Sequence, residues 1–179
     1  MGRSRYKFLD ERYPYFITST VNGRYPLFTR KSVQQILREG LKFLIHKRNS
    51  SISAYVIMPD HIHFIAQGAD LGKNISSFKS YTARRMIDLF KEKSEWHLLN
   101  LLKEAKLATK VDREYQLWAE GFHPKQISNT DVMRQKIEYI HYNPVKAKLV
   151  GEMSGWEYSS YRDYFTDTCG HVDIGLFGG

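Results

Sequence analysis

Two rhythms of hydrophobic and polar positions run along this chain. Residues 15–21 (YFITSTV) are dense in β-branched and aromatic side chains and predict a strand, closed by the turn-forming Asn22-Gly23. Val33, Ile36, Leu37, Leu41, Leu44 and Ile45 then recur at helical spacing, predicting an amphipathic helix over 32–47 with Ser32 at its N-cap. Asn49-Ser50-Ser51 breaks that pattern. Residues 52–58 and 61–67 read as strands joined at Pro59-Asp60, an antiparallel hairpin. A second long helix is expected over 75–93, with Phe78, Tyr81, Met86, Ile87 and Phe90 able to face inward.

Over 95–112, Leu98, Leu99, Leu101 and Leu102 suggest a further helical piece, while Lys103, Lys106 and Lys110 suggest exposure. Residues 116–122 fit a fourth strand, weakened by Gly121. Residues 128–131 (SNTD) offer an N-cap for a helix over 131–142, with Asn143-Pro144 as its stop. The order β-α-β-β-α-β-α closes most naturally as an α+β, ferredoxin-like sandwich, an antiparallel sheet with helices packed on one face. The length suits a single domain over 1–179, with a core over about 13–165 and a loosely held, Gly-rich tail over about 166–179.

Charge sharpens the picture. The chain carries a net charge of +8 and 12 tyrosines. Basic balance favours a polyanion partner through counterion release, and aromatics with cations are what single-stranded nucleic acid binders use. Cys169 is the only cysteine, so no intramolecular disulfide can form and a reducing, cytoplasmic setting is expected. The basic start has no long apolar run behind it, and no stretch suits a signal peptide or a bilayer span. Secreted disulfide scaffolds and membrane proteins are set aside.

Two short segments carry candidate chemistry. His61 and His63, at i and i+2 of a strand, point to one face, so both imidazoles can converge on one ion and leave positions open for oxygen ligands and substrate. Taken alone, such a pair more often marks ordinary surface or core histidines. In 139–146 (YIHYNPVK), Tyr139 and Asn143 lie one helical turn apart on one face, and Tyr142 lies on another. A tyrosine beside an amide oxygen can present a nucleophile next to a metal. Alone, it can also simply pack, with Asn143-Pro144 ending the helix.

Together, and in this order, the segments resemble the REP-associated tyrosine transposases and their single-tyrosine insertion-sequence relatives. Residues 58–65 (MPDHIHFI) are similar to that family's M-P-N-H-h-H-h-I, where h is apolar. Residues 139–150 (YIHYNPVKAKLV) are similar to its Y-I-x-x-N-P-V-K-x-G-L-V, and 156–162 (WEYSSYR) to the trailing W-x-x-S-S-Y. Trp118 and Phe122 match aromatics ahead of the tyrosine helix, so the resemblance covers about 15–164. It implies an HUH-type transposase that cuts and transfers DNA strands, with His61, His63 and Asn143 binding a divalent metal, Mg²⁺ or Mn²⁺. Tyr139 would form a 5′-phosphotyrosine intermediate. Single-stranded or hairpin DNA, including palindromic repeats, is the implied partner, for a monomer or homodimer.

Two residues depart from the family pattern. Asp60 stands where the family usually has Asn, and Lys148 where a Gly is common, which puts any positive-φ backbone there in question. Lys146 and Lys148, just past the tyrosine, are candidate DNA contacts. Arg84 and Arg85 with Lys79, the basic face of the first helix (Lys31, Arg38, Lys42, Lys47, Arg48), and Arg3, Arg5 and Lys7 either bind phosphate or are merely solvated. His123, His141 and His171 read as packed or surface residues rather than ligands. Two other readings are a non-catalytic nucleic-acid module with a degenerate metal site, and an HUH-type replication initiator or relaxase. Four intact site residues disfavour the first, and the short chain disfavours the second.

Overall fold

The computed structural model describes residues 10–166 and 170–178; Arg3, Arg5, Lys7 and Cys169 lie outside the described residues. Strands β1 (Tyr15–Thr20), β2 (Ser51–Ile57), β3 (His61–Gln67) and β4 (Lys125–Gln126) form one antiparallel sheet in the order β2-β3-β1-β4. That order is ferredoxin-like, as the element sequence predicts. The helices are α1 (Lys31–Arg48), α2 (Leu71–Glu92), α3 (Trp96–Glu104), α4 (Thr130–Lys146) and α5 (Tyr161–Phe165). No helix among the described residues is long and apolar enough to cross a membrane.

The expectation of helices on one face holds for α1 and α2, but α4 covers the opposite face. Strand alternation explains it. Ile62, Phe64 and Ala66 point into the larger core with Ile17, Leu37, Leu41, Ile75 and Phe78. Phe16, Ala54, Val56 and Ile65 point the other way, against Met133, Ile137 and Ile140 of α4. A sheet apolar on both sides needs two covers. His61 and His63 share the α4 side by the same period of two.

Local chemistry sets most of the boundaries. Asn49, left-handed at φ 47°, ends α1 where a break was expected. At the other end of α1, the N-cap is Arg30 and Ser32 lies inside the helix. The α2 helix begins at Leu71, earlier than expected, because Asn74 is buried and its amide donates to Arg48 O, Ala69 O and Ser50 Oγ. Those three bonds outweigh the weak helix propensity of Gly72 and Asn74.

The fourth strand of the sheet falls at 125–126, and the expected strand over 116–122 is reduced to one antiparallel bridge, Trp118 opposite Val21, with Asn22 N–H donating to Leu117 O and Ala119 N–H to Thr20 O. Gly121 at φ 74° then turns the chain out of extended geometry. Residues 170–178 also differ from the loose tail expected of them. Val172 is 1% exposed, Gly175 N–H donates to Ile52 O at 2.9 Å, and Phe177 N–H donates to Tyr164 Oη at 3.1 Å. The apolar Val172, Ile174 and Phe177 among the glycines supply the burial that holds this segment.

The α4 helix runs through Pro144 to Lys146 rather than stopping at Asn143. Proline lacks only its own N–H, so one bond to Ile140 O is missing and the last turn survives. Leu149 N–H donating to Pro144 O and Ala147 N–H donating to Asn143 O tie the end down. Asn129 caps the start, its side-chain oxygen accepting from Val132 N–H at 2.9 Å.

Candidate active site

His63 sits on β3, the inner strand flanked by β2 and β1, opposite Thr18 and Val56. It is 6% exposed, and Nδ1 shares a 2.8 Å hydrogen bond with Thr18 Oγ1. Burial, helped by the neighbouring charges of His61 and Lys136, pushes its pKa down to about 3, so the ring is neutral at physiological pH. His61 lies beside it, ring centroids 4.7 Å apart. Its Nδ1–H donates to Asp60 Oδ1 at 2.5 Å, and Asp60 also pairs with Arg24 at 3.1 Å. Each imidazole therefore has Nδ1 engaged by protein, which fixes the ring's orientation with Nε2 on the opposite side.

Across the interface, α4 brings Tyr139 to this pair. Its ring centroid is 5.7 Å from that of His63 and 5.7 Å from that of Phe16, both edge-on, and Phe16 stacks on His63 at 5.1 Å. Lys136, one turn before Tyr139, places Nζ 5.3 Å from the Phe16 centroid and 5.7 Å from that of Tyr139. Tyr142, on the other side of α4, is exposed and makes no ring contact with the histidines.

Asn143 stands one turn beyond Tyr139 on the same helix. Its Nδ2 donates to Tyr139 O at 2.8 Å, which turns Oδ1 away from that carbonyl. Thus His61, His63 and Tyr139 come together directly, and Asn143 joins them through helix geometry rather than a contact to either imidazole. Among the described residues, no third His, Cys, Asp or Glu completes a metal-binding group with the pair.

The remaining candidates divide. Lys146 ends α4 and Lys148 follows it, both exposed, and Lys148 adopts the left-handed conformation at φ 57° that glycine would favour. Arg84 and Arg85 are exposed on α2, in the helical layer over the other face of the sheet. Lys79 is a structural tie: its half-buried ammonium donates to Ala119 O at 2.8 Å and Gly121 O at 2.6 Å, and desolvation lowers its pKa to about 8. His141 is no part of the site. It is 1% exposed, and Nε2 is 2.9 Å from Ser160 Oγ.

The trailing WEYSSY segment also has a structural task. Ser160 Oγ accepts from Tyr55 N–H, Ser160 N–H donates to Tyr55 O, and Trp156 Nε1–H donates to Ile57 O. It straps the β2 edge and, through His141, fixes the rotation of α4 that turns Tyr139 toward His63.

Thr18, Phe16 and Lys136 join the site without a signal in the motifs. Lys136 was visible in principle, three residues before Tyr139 on one helical face. Thr18 and Phe16 require the β1–β3 register, which no local pattern specifies.

The site is thus an H-x-H pair on an inner strand of a ferredoxin-like sheet, faced by a helix-borne tyrosine. Residues 11–143 match the family described as Transposase IS200 like, and the chain belongs to it. It is 26% identical over 148 residues to the REP-associated tyrosine transposase of Escherichia coli (strain K12), spanning 83% of this chain and 75% of that protein. A Haemophilus influenzae relative is 28% identical over 134 residues, 70% of each chain. A solved structure described as a REP-associated tyrosine transposase bound to a REP hairpin shares the fold, with a TM-score of 0.68 at 22% identity, covering 99% of this chain and 96% of that one.

Proposed function

We propose that this transposase cuts and rejoins single-stranded or hairpin DNA, palindromic repeats included, with Tyr139 as nucleophile and a divalent cation held by His61, His63 and Asn143. The observation that carries the reading is the meeting of Tyr139 with the His61–His63 pair across the α4–β3 interface. The donor set fits a divalent ion. Two imidazole nitrogens and one amide oxygen are uncharged as ligands, so they would leave the ion's charge undiminished and suit Mg²⁺ or Mn²⁺. When bound, that ion would neutralise phosphate oxygens and so ease attack on an anionic centre.

The chain's own groups do the rest. The phenolic oxygen of Tyr139 attacks the scissile phosphorus while the P–O3′ bond breaks, and the proton leaving the phenol balances the one gained by the new 3′-hydroxyl. The 5′-phosphotyrosine retains the bond energy, so a 3′-hydroxyl can reverse the step and rejoin strands. Lys136 adds positive charge beside the tyrosine ring where negative charge gathers. Exposed Lys146 and Lys148, just past the tyrosine on α4, would contact flanking phosphates. The similar hairpin-bound structure supports a folded DNA partner.

The test uses labelled hairpin oligonucleotides built from palindromes that flank the gene, with Mg²⁺ or Mn²⁺. The intact protein should yield a covalent adduct that survives denaturing electrophoresis and carries the 5′ end of the downstream fragment. Tyr139→Phe should give none while still folding and binding DNA, and Tyr142→Phe should give the normal yield. Full adduct yield from Tyr139→Phe would overturn the assignment. Cleavage with no adduct from any variant would make water the nucleophile.

A further inference from the structure

A cleft of about 570 Å³ opens along α1 and α2, in the helical layer on the side of the sheet away from Tyr139. Its walls carry Phe43, Arg48, Tyr81, Arg84 and Arg85. Phe43 and Tyr81 lie ring on ring, centroids 5.4 Å apart and 9° from parallel. The Arg48 guanidinium covers the Phe43 ring at 5.3 Å. The result is an Arg48–Phe43–Tyr81 stack that ends at the half-buried Tyr81. Gly40 makes the stack possible one turn earlier, since a Cβ there would come within 2.7 Å of Phe78 and 2.6 Å of Thr82.

The charge around the stack is one-sided. Arg48 and Arg84 are exposed and have no carboxylate partner among the described residues, and Arg85 meets only Glu39, at 3.9 Å. Free guanidiniums recognise phosphate, and an aromatic ledge beside them recognises the face of a base. Both occur together in a polynucleotide. An acidic protein segment would satisfy the arginines and leave the stack unused.

We propose that this cleft is a second DNA-binding site, holding phosphates on Arg48, Arg84 and Arg85 and an unpaired base on Tyr81. The sheet separates it from Tyr139, so its occupant is a segment flanking the one being cut, reached around the sheet edge. The proposal rests on the DNA-processing reading only for the choice of DNA as ligand.

The experiment is fluorescence anisotropy without metal, on a Tyr139→Phe background, so that no result depends on strand cleavage. The probes are a labelled single strand of about 16 nucleotides, the upper length one compact single-strand-binding domain covers, and a blunt duplex of the same sequence. The double variant Arg48→Gln/Arg84→Gln should bind the single strand about tenfold more weakly at low salt. Its slope of log affinity against log salt should flatten by about 1.4, at roughly 0.7 for each phosphate no longer neutralised. Tyr81→Leu keeps apolar volume and removes the aromatic face, so it should cost the single strand about five- to tenfold, spare the duplex, and leave the salt slope unchanged.

A charge-matched control, Lys93→Gln/Lys103→Gln, should leave affinity nearly intact. If the control weakens binding as much as the arginine pair, net charge alone acts and the site is overturned. Unchanged affinity in the arginine pair overturns it as well, and poly-glutamate competing as well as DNA would assign the cleft to an acidic protein. Loss of the adduct reaction in the protein with Tyr139 intact would leave these binding results standing.

Discussion

Asp60 shows how one residue changes a site without being a ligand. The family pattern has Asn there, whereas this chain places a carboxylate on His61 Nδ1 and backs it with Arg24. A carboxylate behind a ligating imidazole fixes the ring's tautomer and strengthens the donor atom on its far side. With His61 as a ligand, Asp60→Ala should weaken Mn²⁺ binding by about 10- to 100-fold, read by isothermal titration calorimetry in the absence of DNA. Arg24→Gln should have a smaller effect, because that guanidinium is largely solvent-exposed. Equal Mn²⁺ affinity in Asp60→Ala and the parent protein would remove Asp60 from the site.

At the scale of elements, α4 carries the tyrosine and the amide, and its end is its weakest part. Pro144 has already cost one backbone bond, and Lys148 follows in a left-handed conformation that disfavours a Cβ. Glycine removes that clash and is the usual residue just past a helix end. Lys148→Gly should therefore stabilise the protein by about 1 kcal/mol, allowing for the extra freedom of glycine in the unfolded chain. The melting temperature would then rise by roughly 2–4 °C for a chain of this size. DNA affinity should fall slightly if Lys148 touches phosphate. A lowered melting temperature would mean that the lysine side chain contributes more to the helix end than its backbone costs.

The whole molecule is held in register by contacts between layers, and His141 is one of them. Burial alone pushes its pKa from 6.5 down to about 4. In acid, the unfolded chain takes up a proton near 6.5 while the folded chain does not until about 4. Stability should be flat above that window and fall as pH drops through it, by about 1.4 kcal/mol per unit for this group. His63, lowered to about 3, adds a loss of the same sign. Urea unfolding between about pH 7.5 and 5, in chelator, should show a shallower decline for His141→Gln than for the parent. Parallel curves would mean that His141 titrates normally in the fold.

Much of this was legible along the chain. The hairpin, the two long helices, the α+β class and the pairing of His61 with His63 on one strand face follow from local periodicity and turn chemistry, because strand and helix periods dictate which neighbours share a side. The Tyr139–Asn143 spacing is local in the same sense. What the chain did not spell out is whatever depends on distant segments. The chain read as a sheet covered on one face, and only packing shows that α4 covers the other. Thr18 and Phe16 reach His63 through a register set by tertiary burial, and a slip of one residue would turn both away. Pro144 reads locally as a stop, yet α4 continues because its buried face and the bonds beyond it outweigh one missing N–H. Which residues could do the chemistry was set by the order of side chains, since reactivity and short-range geometry are local properties. That Tyr139, rather than Tyr142, meets the histidines was set by packing, because the rotation of α4 is fixed by His141 on Ser160 and by the core beneath it.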